Sequence, residues 1–407
     1  MLSQFTIKNF KSIRDEMTLD MQAVSISEHK DHILEDIDKE KFLPLAVIYG
    51  PNGGGKSNVL IALRVLIAKV MSPIFISKED YRDLEFRSRG FKAEPFAFLE
   101  ATQKSPVEFT IFFRTKAAEY RYIMHILNEK IELETLDLIK TETGRKSTLF
   151  YRDKRSVELK GELGKLKISQ GLSETMPLLS YLGLTYSGNE VVKDVIDWFS
   201  KKIRVIDYGS PYQESIISVA NSEENKKLVL NMLREMDLDI EDFRVENRLN
   251  GQIEVFTKHP GYSKELTLRD ESGGTRKLFG LLPYIIESIL TGMTLAIDEL
   301  DAKLHPLLLK YIIGLFSNKA INKHNAQLIF TSHDLSTMNN EVFRRDEIWF
   351  VAKGNEQNSQ LYSLVEFKNE KGVSVRKDAK YDKQYLEGKY GADPYLKKII
   401  NWGDPNA

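Results

Sequence analysis

Residues 50–57 read GPNGGGKS, and they follow the apolar run PLAVIY at positions 44–49. Four glycines in eight positions give up backbone order, because glycine loses more conformational freedom on folding than any other residue. The spacing fits G-x-x-x-x-G-K-[ST], with Gly50, Gly55, Lys56 and Ser57 at the required places. A buried strand over Leu45–Tyr49 would end in a loop whose N–H groups converge on phosphate oxygens. The apolar helix that follows, SNVLIALRVLIAKV, would aim its positive end at the same anion. In this reading Asn52, Gly53, Gly54, Gly55 and Asn58 shape the cradle. Lys56 gives a positive charge to the terminal phosphates and Ser57 a hydroxyl to Mg²⁺. A flexible glycine turn is the plainer alternative, but the pattern is demanding and its strand–loop–helix context is present.

Composition narrows the class. The 407 residues suggest two or three domains, or one large α/β unit with an insertion. An apolar share of 42% and a charged share of 29% are those of an ordinary globular protein. No run of eighteen uninterrupted apolar residues argues for a membrane span, and the N-terminus MLSQFTIKNFKSIRDE lacks a signal-peptide layout. A cytoplasmic location is therefore expected. Cysteine is absent, which removes disulfides, thiolate metal sites and a cysteine nucleophile; any metal is held by oxygen or imidazole. The net charge of −1 gives no overall attraction for nucleic acid. A local basic stretch, Arg145 to Lys167, has eight basic and three acidic residues and reads as a solvated hairpin face or, alternatively, a nucleic-acid contact.

Along the chain, QFTIKNF and MTLDM alternate like an antiparallel pair, and VEFTIFF, YRYIMHIL, IELETLDLI and STLFYR continue as a β-meander. From about residue 172 the period turns helical, as in NEVVKDVIDWFSKKI and ENKKLVLNMLREM. From about 266 it is α/β again, with buried strands TLAI and QLIF. The expected organisation is an α/β head split into residues 1–165 and 266–407, with a mainly helical insertion over 166–265 and no long coiled coil.

The second half supplies the carboxylates. MTLAIDELD ends an apolar strand in Asp298 and Glu299, and charges so placed imply a cation or a polarised water nearby. Asp298 would hold Mg²⁺ together with Ser57, and Glu299 would activate the attacking water. An acidic helix N-terminus is the structural alternative. Ser272, Gly273 and Gly274 stand at the mouth of another apolar helix, with Ser272 a good N-cap and the glycines an anion-accepting nest. AQLIFTSHD is a strand ending at His333, a polar tip suited to a phosphate or the water.

With these four signals in order, the chain resembles the ABC-type ATPase superfamily. GPNGGGKS looks like its Walker A, ESGGT its signature, LAIDE its Walker B, LDAKLHP its D-loop and TSHD its switch histidine. The separation of about 215 residues between Lys56 and Gly273 is wider than in a transporter subunit, and Thr275 replaces the usual transporter glutamine. The opening FTIKNFKSI is similar to the first strand of SMC- and RecF-like heads. Within that branch the chain is most similar to the prokaryotic AAA-type ATPases of the RloA and AbiL group of phage-defence modules, related to the overcoming-lysogenization-defect nucleases; EPFAFLEATQKSPVEFTIFF and the terminal YLEGKYGADP share in the likeness. The resemblance implies ATP with Mg²⁺ and a homodimer, or a higher oligomer, in which one chain's signature covers the ATP of the other. Asp301 would then lie at the dimer seam, Asn9, Lys11 and Ser12 would flank the base or phosphates, and Gln103 is the nearest candidate for the Q-loop glutamine.

Two weaker clusters read as surface loops. Asp237, Asp239, Glu241 and Asp242 look like a solvated turn rather than a nuclease centre, and His29 and His32 in EHKDH like a polar loop rather than a metal site. No Toprim-like or HNH-like segment is expected after the ATPase motifs. The leading expectation is an ATP-driven switch acting on a separately encoded effector such as a nuclease. A RecF-like DNA-repair ATPase that binds DNA directly is the alternative, and a transporter ATPase with a membrane partner has little to support it.

Overall fold

The alternation of the first twenty residues becomes two antiparallel strands, Leu2–Lys8 (β1) and Met17–Asp20 (β2), with Phe5 opposite Leu19 and Ile7 opposite Met17. The computed structural model describes residues 1–77, 91–140, 143–168, 172–207, 216, 219, 222–236, 238–247, 253–354, 356–368 and 372–392. A small hairpin, Leu34–Glu35 (β3) with Lys41–Phe42 (β4), leads to strand Leu45–Tyr49 (β5), helix Lys56–Ser77 (α1) and the short turn Glu100–Gln103 (α2). The meander is Val107–Arg114 (β6), Glu119–Leu127 (β7), Lys130–Ile139 (β8), Lys146–Asp153 (β9) and Ser156–Leu159 (β10). Next come helices Leu178–Thr185 (α3) and Glu190–Lys201 (α4), strand Ile203–Ile206 (β11) and helix Glu223–Glu235 (α5). Strands Asp242–Asn247 (β12), Ile253–Lys258 (β13) and Leu266–Thr267 (β14) form a small sheet. The remainder is Gly273–Thr291 (α6), Thr294–Ile297 (β15), Pro306–Ser317 (α7), Gln327–Thr331 (β16), Ile348–Lys353 (β17), Ser359–Ser363 (β18) and Tyr381–Leu386 (α8).

Two large sheets carry the architecture. One is antiparallel, in the order β10-β9-β8-β7-β6-β1-β2; the other runs β11-β15-β16-β5-β17-β18 and is parallel except for its last pair. Strand β16 separates the phosphate-loop strand β5 from the carboxylate strand β15. The ends of all three strands therefore lie side by side, which is where an open parallel sheet places its ligands.

The central strands of the second sheet, β5, β15 and β16, are buried at every position because both faces are covered. Period two divides β5 between two cores: Ala46 and Ile48 join α1, α3, α4 and the antiparallel sheet, whereas Leu45, Val47 and Tyr49 join the helices of the C-terminal half. Ala296 and Ile329 face the first core; Leu295, Ile297, Leu328 and Phe330 face the second. Gln327, wholly buried, ties the sheets together. Its Oε1 accepts from Leu2 N at 2.7 Å, and its Nε2 donates to Leu2 O and Leu43 O, each at 3.1 Å.

Helix α1 is long and apolar enough to cross a membrane by length and composition, but 67% of its most apolar window is buried inside the protein. It is apolar nearly all round because it lies in the first core, a context that removes the need for a polar face. Helix α4 is amphipathic instead. Its stripe Val191, Val192, Val195, Trp198 and Phe199 is buried, with Trp198 stacked on Phe113 at 4.1 Å.

The stretch expected to be mainly helical, 166–265, does contain α3, α4 and α5. It also sends β11 to the edge of the parallel sheet beside β15 and forms the β12–β13 hairpin. Four residues, IRVI, are too few to display a strand period after a helix whose apolar rhythm runs up to them. Pairing with β15, which no local signal announces, makes the difference.

Candidate nucleotide site

The phosphate loop is held by contacts that only glycine permits. Gly55 has φ +108°, and a Cβ there would meet Ser359 Oγ at 2.2 Å and Ser12 Oγ at 2.6 Å. These two hydroxyls, 2.7 Å apart, clamp the loop from β18 and from the turn after β1. Ser359 also donates to Gly54 O at 2.6 Å, and Asn58 Nδ2 donates to Ser12 Oγ at 2.7 Å. Asn52 and Gly53 form the exposed tip of the loop.

Lys56 is buried, with its ammonium donating to Gly50 O at 2.9 Å and Pro51 O at 3.2 Å. Burial pulls its pKa below the ordinary lysine value, opposed by Asp298, Glu299 and Asp301. The first turn of α1 faces the carboxylates directly: Ser57 Oγ donates to Asp298 Oδ1 at 3.0 Å. The same oxygen accepts from Thr331 Oγ1 at 2.6 Å, and Thr331 in turn accepts from Glu299 N at 2.7 Å. One hydroxyl at the tip of β16 thus positions the carboxylate of Asp298 and the backbone of Glu299.

Glu299 has φ +50°, uncommon for a residue with a side chain, and that kink turns the chain at the end of β15. Asp301 accepts from His333 N at 3.0 Å through Oδ2, while its Oδ1 is buried with no hydrogen-bond partner. The ring of His333 is exposed beyond it. Lys277, on α6, is buried and donates to Glu299 O at 2.5 Å. Its pKa is lowered to about 8, mainly by burial, against the pull of Asp301 and Glu299.

Ser272 caps α6, with Thr275 N donating to Ser272 Oγ at 3.1 Å. Gly273 and Gly274 pack beside Lys303: a Cβ on Gly273 would meet Lys303 Cδ at 3.2 Å, and one on Gly274 would meet Lys303 O at 2.9 Å. Among the described residues no hydrogen bond or ion pair joins Ser272, Gly273 or Gly274 to the phosphate loop of the same chain.

Three sequence candidates have their side-chain partners outside the phosphate loop. Lys11 is committed to Glu94, 2.6 Å away. Asn9 is buried and spends its amide on Thr102 O, Ser105 O and Pro106 O at 2.8–3.1 Å, so it pins the 96–106 segment. Gln103 is exposed and donates to Phe96 O at 2.6 Å. Of the acidic cluster, Asp237 lies outside the described residues; Glu241 pairs with Lys258 and Asp242 with Lys226, as a solvated turn would.

Sequence reasoning missed Thr331, Ser359 and Lys277. Thr331 lies inside the quoted TSHD, where a hydroxyl at a strand end was the available signal. A buried lysine in the apolar stretch of α6 was another. Ser359 had none, since its role depends on β18 lying beside β17.

The arrangement suits Mg²⁺ chemistry: two hydroxyls and a carboxylate converge beside a lysine at a helix N-terminus, and Asp301 leaves one buried oxygen unsatisfied. Such a fold and site define an ABC-type P-loop ATPase head, α/β, with an N-terminal antiparallel β subdomain and no long coiled coil among the described residues. The chain belongs to the family described as "AAA domain, putative AbiEii toxin, Type IV TA system", which matches residues 45–339. Among solved structures it is similar to the SMC head domain from Thermotoga maritima, at 17% identity over 89% of this chain and 98% of that one, with a TM-score of 0.41. It is also similar to an SmcHead bound to the C-winged helix domain of ScpA, at 14% identity over 89% and 97%, TM-score 0.43. A third is the Smc head domain with an extended coiled coil bound to the C-terminal domain of ScpA, derived from Pyrococcus furiosus, at 14% identity over 89% and 96%, TM-score 0.40. No curated protein matches the chain.

Proposed function

We propose that this chain is a cytoplasmic ATP-hydrolysing switch that works as a homodimer and regulates a separately encoded effector, such as a nuclease, in prokaryotic antiviral or abortive-infection defence. The observation that carries the reading is a divided site: Lys56, Ser57, Asp298 and Glu299 stand together, while Ser272, Gly273 and Gly274 have no bond to them among the described residues, and the same helix touches the group only farther along, through Lys277 to Glu299 O. A second copy would bring its Ser272, Gly273 and Gly274 to the γ-phosphate.

Within that dimer Lys56 would release the carbonyls of Gly50 and Pro51 and take up phosphate charge. Ser57 and Asp298 would hold Mg²⁺, which when bound neutralises charge on the β- and γ-phosphates. Glu299 would orient and deprotonate the attacking water, with Thr331 fixing its backbone. His333 would approach the phosphate or the water from the tip beyond β16, and Asp301 would hold that tip.

The family description, with its reference to a toxin–antitoxin system, supports a defence role and is compatible with the RloA and AbiL branch. Direct DNA binding has less support. In the basic stretch Arg145–Lys167, Arg152 is buried on the carbonyls of Lys154, Met176 and Ser173. Lys146, Lys154, Arg155 and Lys160 are paired with Asp137, Glu132, Glu174 and Glu158.

The test is affinity purification of the tagged chain expressed with its adjacent genes. A neighbouring gene product retained with ATP and released by Lys56→Ala supports the switch. Salt-sensitive affinity for DNA ends without such a partner supports the repair reading instead.

A further inference from the structure

The loop between β2 and β3 brings together two histidines and a carboxylate that the nucleotide chemistry does not use. Residues 28–32 make a turn in which His32 N donates to His29 O at 3.0 Å, and His29 takes φ +38°. A hydrogen bond between positions i and i+3 puts the two side chains on one side, and their rings lie 4.4 Å apart, centre to centre. One nitrogen from each ring and one oxygen of Asp31 fall within 4.8 Å of one another. Ligand bonds of about 2.0–2.2 Å span donor pairs up to roughly twice that length, so small movements of this turn close the set around one ion.

The outer nitrogen of each ring faces an acceptor oxygen. His29 Nε2 lies 2.7 Å from Asn340 O. A carbonyl only accepts, so Nε2 carries the proton and the neutral ring keeps its lone pair on Nδ1. His32 Nδ1 is buried without a hydrogen-bond partner and faces Glu347 Oε1 at 3.8 Å. That oxygen belongs to a carboxylate buried to 0% exposure, and it too has no partner. Buried polar atoms left unpaired are costly and call for an explanation. A histidine that ligates a metal gives its other N–H to a carboxylate or a backbone carbonyl, and here each ring has one of these on its far side.

We propose that His29, Asp31 and His32 bind one divalent transition-metal ion of the zinc type, through His29 Nδ1, His32 Nε2 and the Asp31 carboxylate, with Glu347 and the Asn340 carbonyl orienting the rings. The donor set, nitrogen and oxygen without sulfur, suits Zn²⁺, Co²⁺ or Ni²⁺ rather than Ca²⁺ or Mg²⁺. The ion sits where the 24–32 loop docks on the segment before β17. Arg344 already reaches that loop, donating to Glu28 O at 2.6 Å and Val24 O at 3.1 Å. Its role is to clamp this docking, on the same connection that carries His333 seven residues upstream of Asn340. The site is independent of the nucleotide reading.

The test is a calorimetric titration of the chelator-treated, nucleotide-free full chain with Zn²⁺, followed by Co²⁺ absorption to report imidazole ligation. The expected result is one ion per chain and a higher melting temperature with zinc. Binding is abolished by His29→Ala and by His32→Ala, reduced by Asp31→Asn, and weakened by about 10–100-fold by Glu347→Gln. Asp298→Asn, in the other site, keeps the ion. Absence of binding to the unaltered chain overturns the proposal, as does binding that survives both histidine variants or disappears with Asp298→Asn. Should a histidine variant fail to fold by circular dichroism, the exposed position Asp31 decides: undiminished affinity in Asp31→Asn contradicts the site.

Discussion

The Ser57 hydroxyl donates to Asp298 Oδ1 at 3.0 Å, joining the first turn of α1 to the end of β15 across 241 positions of sequence. A parallel sheet makes the meeting possible, since β5 and β15 run in one direction and end on the same edge. Everything proposed for the nucleotide rests on that junction.

Lys56→Ala should abolish ATP binding. The charge that neutralises the terminal phosphates would be gone from a loop built around it, and charge-assisted contacts are the strong ones. Calorimetry with ATP and Mg²⁺ should show no heat; an unchanged affinity would remove the phosphate-loop assignment.

Thr331→Val keeps the shape of the β16 tip and removes the hydroxyl between Asp298 and Glu299 N. Residues that orient a metal ligand typically cost about 10–100-fold in metal affinity or activity when lost. Steady-state hydrolysis should fall by that factor, with a higher Mg²⁺ requirement. Unaltered Mg²⁺ dependence and rate would show that the contact is incidental.

Lys277 gives a pH signature. Its folded pKa of about 8 lies below the ordinary lysine value of 10.5, so between these values the unfolded chain holds a proton that the folded chain has released. Stability contributed by this group is complete above about pH 10.5 and is lost as pH falls through about 8. The difference is on the order of 3 kcal/mol. Denaturant melts of the unaltered chain minus those of Lys277→Met should therefore rise from pH 8 to 10. A flat difference would mean that the lysine is not perturbed by burial.

Gly273→Asp probes the signature. A Cβ there meets only the flexible Lys303 side chain at 3.2 Å, so the fold should tolerate it, while the new charge would oppose an incoming γ-phosphate from a partner. ATP binding should survive and hydrolysis should drop at least about a hundredfold, the scale of losing a charge-stabilising donor. Mixing it with Lys56→Ala should restore part of the activity in hybrid dimers. Weak ATP binding by the variant alone, or full activity, would reduce Ser272–Gly274 to a helix cap.

Much of the site was legible because its motifs are local. A loop that must converge on phosphate writes its glycines, lysine and serine within eight positions, and an apolar strand ending in Asp298 and Glu299 shows its own anomaly. The meander was equally legible from period two. Ser359 and the edge strand Ile203–Ile206 were not, because each gains its role only from a neighbour distant in sequence. Asn9 and Lys11 were ambiguous for a related reason: a polar residue after a first strand suits a ligand as well as it suits Phe96 and Glu94, and only tertiary packing shows the contacts with these two.

The most direct test of the divided, ATP-completed site is the mass of Glu299→Gln measured by light scattering with saturating ATP and Mg²⁺. Removing the general base should leave ATP bound and slow hydrolysis at least about a hundredfold. With Asp298 still present to hold the metal, the nucleotide persists between two subunits. The account predicts a stable dimer that forms only with ATP and returns to monomer when nucleotide is withdrawn. A protein that stays monomeric at saturating ATP and still hydrolyses it at the unaltered rate would contradict both the role of Glu299 and the completion of the site by a second copy.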